Sequence, residues 1–528
     1  MATYLSTNCI IRTVEHLCEF GDTDVFPHLP ELSFLNECKS AVSQELSKLD
    51  LDTFEPTQGI ETLAPKSRYG FRVVHQQQLV DVVLFTAAVI EVATDLEKNR
   101  VIKGHFGSFS YHFNSKGKSS LFRRNGTYRD WLKQQQKLHE KREFSEIIFT
   151  DIADFYQRIY LHRIENCLDV GTGQKGLNRY ITKNIKAVRS RQSYGIPIGG
   201  SASRIIAEAV LADSDAALLA EKYKFTRFVD DYRIFLTKPG TAYQALSFLA
   251  EQLYLSDGLT LNGQKTRVLS GEEFSRYLEQ ELPGKEEKAQ NQALDTLSGL
   301  IYFDEEPDAD AIAELSSLNL LGMLEKAISE GHWDFGEIKA LFRAMRLIKS
   351  GDAEEFLTKN FEKLLPFAKE IILFFDAVPP KSVKKLSSLV LAALNGQVAT
   401  NVPTIAAWLL EFYTRSILRI DGATLNQFDF KGPLCERQIL LIRGLNKEIN
   451  YFRKNKTKFD GLGPYAKTAF ILGATCLPKD EFSNWIAAIK PKQKQPLEKL
   501  FCDWAKTKSG TLTTIISSTK KQIAGDEN

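Results

Sequence analysis

The sequence predicts an α+β protein: a mixed strand-and-helix region followed by an all-α C-terminal domain. Three observations carry this. Short runs of β-forming residues, EIIFTDI and KFTRFVDDYRIFL, are interleaved with long helical patterns up to about residue 280. Beyond about Pro283 the strand signals stop, and amphipathic segments such as DAIAELSSLNLLGMLEKAI, FGEIKALFRAMRLIKS, SVKKLSSLVLAALNG and IAAWLLEFYTRSI follow one another. With 528 residues, 43% of them hydrophobic, the chain is also longer than one core usually encloses.

Residues 1–60 mix short apolar runs with Pro27, Pro30 and Pro56 and read as a helical or irregular N-terminal extension. From Leu79, LVDVVLFTAAVIEVATDLEK is apolar on nearly every side of a helical wheel, so a well-buried helix is expected. EIIFTDI reads as a buried strand ending near Asp151, and DFYQRIYLHRIENCL as the helix that follows. SYGIPIGGSASRIIAEAVLADSDAALLAE is a Gly-rich loop entering a long helix, with Ser201 or Ser203 as cap. KFTRFVDDYRIFLTK then reads as two strands with Asp230 and Asp231 at their turn. The C-terminal helices suggest stacked helix pairs, although no repeat of fixed period is visible. The polar tail from Lys506 is expected to fray.

Charge informs only locally, because 68 Lys and Arg nearly cancel 66 Asp and Glu. Between Lys116 and Arg142, nine Lys or Arg face only Asp130 and Glu140, a net +7 suited to a polyanion or to a plain solvated surface. Phe122, Tyr128 and Trp131 are interleaved there, either to stack on nucleic-acid bases or to pack in a core. Seven scattered cysteines without a Cys-x-x-Cys pair argue against a disulfide framework or a zinc site. No signal peptide or membrane span is expected, and a cytoplasmic location fits.

The acids carry the chemistry. Nucleotide polymerisation needs divalent cations that clamp the attacking hydroxyl and the leaving phosphate, and such ions take hard oxygen ligands. One Asp at a strand end and two at a neighbouring hairpin turn would converge if the strands are adjacent. An Asp-Asp turn is by itself usually only a turn. Here β-formers frame it on both sides, and two like charges at an apolar turn cost free energy unless cations neutralise them.

FTDIADFYQRIYLHRIE resembles motif A of the reverse transcriptases, YGIPIGGSASRIIAEAVL motif B, FVDDYRIFL motif C and LTLNGQKTRVL motif D, while APKSRYGFRVV resembles their triphosphate-handling fingers segment. The likeness spans roughly residues 60–275 and is closest to the abortive-infection and related defence-associated enzymes of bacteria. It implies a right-hand fingers and palm over 61–280, after the 1–60 extension and before the helical-repeat-like domain 281–528.

The resemblance further implies Asp151, Asp230 and Asp231 as catalytic and metal-binding acids, with the carbonyl of Ile152 as another ligand of two Mg2+ ions, or of Mn2+. Tyr156 matches the aromatic steric gate against ribonucleotides, with Asp154 and Phe155 beside it in the nucleotide site. Lys66 and Arg72 match the residues that grip the triphosphate, with Arg68 as a substitute for either. Gly199 belongs to the motif B loop, and Lys265 to motif D as a proton donor to pyrophosphate. Ile198 stands where enzymes that copy long templates commonly have Gln, and Phe228 where Tyr is frequent.

The implied activity is addition of deoxynucleotides (dNTPs) to a DNA product in antiphage defence, protein-primed and template-independent, by a homo-oligomer without a membrane partner. Alternatives are templated DNA synthesis on an RNA template or associated noncoding RNA, a nucleic-acid-binding protein whose palm is scaffold, and a palm enzyme that cyclises or condenses nucleotides.

Overall fold

The computed structural model describes residues 2–524 apart from 104, 124–127, 142, 143, 191, 283–292, 295, 298, 299, 301–306, 332, 429 and 431. Arg124 and Arg142 of the basic stretch therefore lie outside the described residues, as do 283–292 just after the expected boundary at 280. The chain divides into two compact units: Met1–Leu5, Asp50–Gln58 and Leu84–Phe303 form the first, and Ser6–Leu49, Gly59–Val83 and Asp304–Asn528 the second.

Eight strands are described: β1 (Ile60–Pro65), β2 (Phe71–Gln76), β3 (Ile102–Lys103), β4 (Phe106–Ser108), β5 (Glu146–Asp151), β6 (Lys224–Phe228), β7 (Asp231–Leu236) and β8 (Arg267–Ser270). In the first unit, six of them make one sheet in the order β3-β4-β6-β7-β5-β8. All its pairings are antiparallel except that of β4 with β6. β5 is flanked by β7 and β8, and all of it but Glu146 is buried, which is why Ile147, Ile148 and Phe149 are apolar in succession rather than in alternation. Phe144, Ile147, Phe149, Phe235, Phe274 and Leu278 build the core behind this sheet.

The second unit contains the antiparallel hairpin β1–β2 and otherwise helices; every described element from Ala309 to Ala524 is helical. N-terminal and C-terminal segments share its core. Phe34, on the helix Leu32–Glu37, lies 5.3 Å from the Phe501 ring and 5.7 Å from Trp504, and Trp408 Nε1 donates to the Val25 carbonyl at 2.8 Å. The hairpin is fastened to the same helices: Thr404 Oγ1 donates to the Leu63 carbonyl at 2.7 Å, and Tyr465 Oη to that of Gln76 at 2.6 Å.

Three local expectations fail for tertiary reasons. The tail is ordered as far as it is described: Leu512–Ala524 is a helix with Leu512, Ile515 and Ile516 buried, and Ser33 Oγ meets Thr519 Oγ1 at 2.8 Å, while 525–528 lie outside the described residues. The helix expected after Asp151 is broken into Phe155–Arg158 and Leu161–Thr172, because Tyr160 bridges to Tyr194 and Leu161 N–H donates to the Ser193 carbonyl at 2.9 Å. Neither serine caps the helix Ser201–Val210, since Gly200 holds that position and Ser203 is buried inside the helix.

Candidate active site

The antiparallel register of β5 and β7 sets Asp151 directly opposite Asp231, and such partners stand about 5 Å apart at their Cα atoms. Asp230 ends the turn before β7, and its carbonyl accepts the Ile152 N–H at 3.2 Å. Acids 79 and 80 residues apart in sequence thus meet at one end of two neighbouring strands. Ile152 itself is buried, and its backbone runs past Asp230 on one side and bridges to Leu261 on the other.

Burial, then the charges of Asp151 and Asp231, push Asp230 up to about 7. Burial likewise raises Asp231, which Arg233 at 3.7 Å only partly offsets. Lys265 reaches in from motif D, its Nζ 3.0 Å from Asp151 Oδ2. Desolvation works against its charge, but Asp151, Asp231 and Asp230 outweigh that and raise it above the ordinary lysine value. The centre gathers carboxylates whose charge a nearby cation relieves, as the Lys265 ammonium does for Asp151.

Motif D is joined to β5 by backbone. Asn262 N–H donates to the Asp151 carbonyl at 2.7 Å, Ala153 N–H to that of Thr260 at 2.9 Å, and Asn262 Nδ2 lies 3.4 Å from Asp151 Oδ2. Motif B is joined to motif A in the same way: the Ile196 and Gly195 N–H groups donate to the carbonyls of Tyr156 (2.9 Å) and Ile159 (2.7 Å). Gly195 (φ 84°) and Gly199 (φ 102°) adopt left-handed backbone there, which explains the glycines of GIPIGG.

Tyr156 is half-buried, and burial pushes its phenol well above the ordinary tyrosine value. Asp154 is exposed in left-handed conformation (φ 48°), whereas the Phe155 side chain is in the core, its ring 5.4 Å from that of Tyr156. What Phe155 presents outward is therefore backbone. Lys66 and Arg72 sit on the β1–β2 hairpin of the second unit, Arg72 opposite Ala64 and Lys66 at the start of the loop, where its N–H donates to the Gly70 carbonyl at 2.9 Å. Arg68 is stacked 4.8 Å over Trp333.

The basic stretch takes the packing alternative for its aromatics. Trp131 is fully buried, and Trp131 and Tyr128 surround Phe228 at 5.7 and 5.3 Å. The motif C position with Phe instead of Tyr is thus an apolar pin beneath the acid turn.

Sequence reasoning missed Asn262 and a buried ionic network below the turn. Arg227 donates to both carboxylate oxygens of Asp215 (Nε 3.0 and 3.1 Å, Nη2 2.6 Å) and from Nη1 to Glu208 (3.0 Å), while Tyr232 Oη adds a bond to Asp215 (3.0 Å). Arg227 directly precedes FVDD, and an arginine inside a β-run was the available signal.

Among the described residues, no group of three or more His, Cys, Asp or Glu side chains closes as a ready-made metal cage. The donor set nevertheless fits hard divalent cations: Asp151 stands opposite Asp231 with Asp230 beside them, burial and neighbouring acids disfavour the charge of Asp230 and Asp231, and an ammonium group already answers Asp151. Among the described residues, no helix is long and apolar enough to cross a membrane.

Residues 94–295 match the family model described as "Reverse transcriptase (RNA-dependent DNA polymerase)". No curated protein is significantly similar to the chain. Among solved structures, apo telomerase from Candida tropicalis is 14% identical, covering 71% of this chain and 74% of that one with a TM-score of 0.32. Telomerase from Candida albicans with a fragment of telomeric RNA is 11% identical, covering 71% and 68% with a TM-score of 0.34. The family assignment rests on the sequence match: residues 94–295 carry a reverse transcriptase domain, and the enzyme class is that of an RNA-directed DNA polymerase.

Proposed function

We propose that the chain is a DNA polymerase that adds deoxynucleotides with two Mg2+ ions held by Asp151, Asp230, Asp231 and the carbonyl of Ile152. The observation that carries this reading is the β5–β7 register, which sets Asp151 against Asp231 with Asp230 alongside. When bound, the ions supply charge neutralisation for the attacking 3′-hydroxyl and the departing pyrophosphate. Ladder hydrogen bonds that fix β5 and the β6–β7 turn keep the three acids side by side, which supports this reading. Lys265, kept protonated by the acids, serves as proton donor to the pyrophosphate. Tyr156 and the Asp154–Phe155 backbone form the sugar pocket, where the ring excludes a 2′-hydroxyl. Gly199 lets the motif B backbone approach the nucleotide, and Lys66 and Arg72 grip its triphosphate.

The finer reading is protein-primed, untemplated synthesis in antiphage defence of the abortive-infection type, by a cytoplasmic homo-oligomer. Ile198 after Pro197, Phe228 at motif C and the helical character of the described elements from Ala309 to Ala524 support it. A second reading, templated synthesis on RNA, is favoured by the description of the matching family model.

One assay separates them. The purified chain is incubated with Mg2+ and labelled dNTPs, with and without RNA template, and the products are run on denaturing gels before and after protease. Template-free product that shifts on proteolysis supports protein priming; product that needs RNA supports the second reading. Asp230→Asn with Asp231→Asn is expected to abolish synthesis, and unchanged incorporation by this double variant would refute the site.

A further inference from the structure

The residue between Phe228 and Asp230 is Val229, and its φ is 56°. A β-branched residue in left-handed backbone is a strained choice for a turn where Asn or Gly would sit freely, and such strain persists only where the surroundings over-determine it. Both polar groups of the Val229 backbone are held by side chains. Its N–H donates to Ser110 Oγ at 2.8 Å, and its carbonyl accepts from Arg227 Nη1 at 2.6 Å.

The two holders are themselves joined through Glu208. Ser110 Oγ donates to Glu208 Oε1, while Glu208 Oε2 accepts from Arg227 Nη1 (3.0 Å) and Arg100 Nη2 (2.9 Å). Arg100 Nη2 also donates to the Ser110 carbonyl at 2.6 Å, fixing the serine backbone. Ser110, Glu208 and Arg227 are fully or almost fully buried, so water does not compete for these bonds. Glu208 lies on the helix Ser201–Val210 that follows the Gly199 loop, so one carboxylate ties that helix to the acid turn.

We propose that Ser110 is a positioning residue for Asp230 and Asp231, acting with Arg227 and Glu208 as a two-point clamp that holds Val229 left-handed and so aims the acid pair. This rests on the polymerase reading above. A hydroxyl is suited to the position because it accepts one bond and donates another, and the chain needs both there. Alanine keeps the backbone and the packing volume nearly intact but leaves the Val229 N–H and Glu208 Oε1 without their partner.

The test compares wild type, Ser110→Ala and Ser110→Cys, the last retaining a weak acceptor and donor. Mn2+ binding is followed by electron paramagnetic resonance, and dNTP incorporation is measured across Mg2+ concentrations. For Ser110→Ala, Mn2+ affinity is expected to fall several-fold, half-saturating Mg2+ to rise in parallel, and kcat to drop about ten- to hundredfold with little change in KM for dNTP. Ser110→Cys should fall between the two, and it carries the test should the alanine variant lose its far-UV circular dichroism. A merely structural role would lower the active fraction and leave metal affinity unmoved. If wild type incorporates dNTPs and a folded Ser110 variant matches its Mn2+ affinity and Mg2+ dependence, the clamp is refuted while the polymerase reading stands. No incorporation by wild type would overturn both.

Discussion

Asp230 is the residue on which the proposed function and stability conflict. An acid whose folded pKa of about 7 exceeds its unfolded value near 4 binds its proton more tightly when folded. It therefore costs stability progressively as pH rises from about 4 to about 7, and fully above that. In EDTA, Asp230→Asn is expected to match wild type near pH 4 and to be more stable by roughly 1–3 kcal/mol at pH 8, read as denaturation midpoints. Mg2+ should reverse the order at pH 8 by stabilising wild type alone. A wild type that gains stability relative to the variant as pH rises in EDTA would show that the acids do not crowd one another. Lys265 allows a cleaner separation, since its side chain is largely exposed while its Nζ touches Asp151. Lys265→Ala is expected to lower kcat at least tenfold while lowering the melting temperature only slightly. Tyr156→Ala should raise ribonucleotide incorporation relative to deoxynucleotide by tenfold or more, measured as a ratio of kcat/KM values.

At the scale of elements, the site joins β5 and the residues that follow it to the acid turn, to motif D and to the motif B loop. The motif B loop is tightly constrained at Gly195. A Cβ on Gly195 would come within 2.9 Å of the Arg189 guanidinium, and the residue is left-handed as well. Gly195→Ala should cost about 1–2 kcal/mol and displace the loop, visible as a raised KM for dNTP. The helix Tyr128–Lys141 supports the opposite side of the acid turn through Trp131 against Phe228. Trp131→Ala is expected to destabilise the fold by roughly 3–5 kcal/mol in chemical denaturation; a loss of DNA binding without loss of stability would return that ring to the nucleic-acid surface.

At the scale of the molecule, the helical C-terminal segment does not form a unit alone. Residues 6–49 and 59–83 belong with it, including the hairpin that carries Lys66 and Arg72. A chain ending at residue 303 would keep the three acids but strip the hairpin of Thr404 and Tyr465, and Phe34 of Phe501 and Trp504. Such a truncation is expected to aggregate and to lose dNTP incorporation, measured by light scattering and the gel assay. A monodisperse, active fragment would show that the helical segment is dispensable.

The strand nature of EIIFTD, the hairpin around Asp230 and Asp231, the helix Leu79–Asn99 and the helices described between Ala309 and Ala524 were legible in the sequence, because each is written in local periodicity and turn chemistry over a dozen residues or so. The order of the four motifs, met in one chain, pointed to the same enzyme class that residues 94–295 match. Only the tertiary structure decided which strand lies beside β5 and in what register, since pairing depends on segments about 80 residues apart. It also broke the motif A helix at Tyr160, ordered the polar tail against Ser33, and buried Trp131 instead of exposing it. The clamp on Val229 was invisible in the sequence for the same reason. Ser110, Glu208 and Arg227 acquire meaning only when chain folding brings a hydroxyl, a carboxylate and a guanidinium within hydrogen-bond reach of one strained peptide.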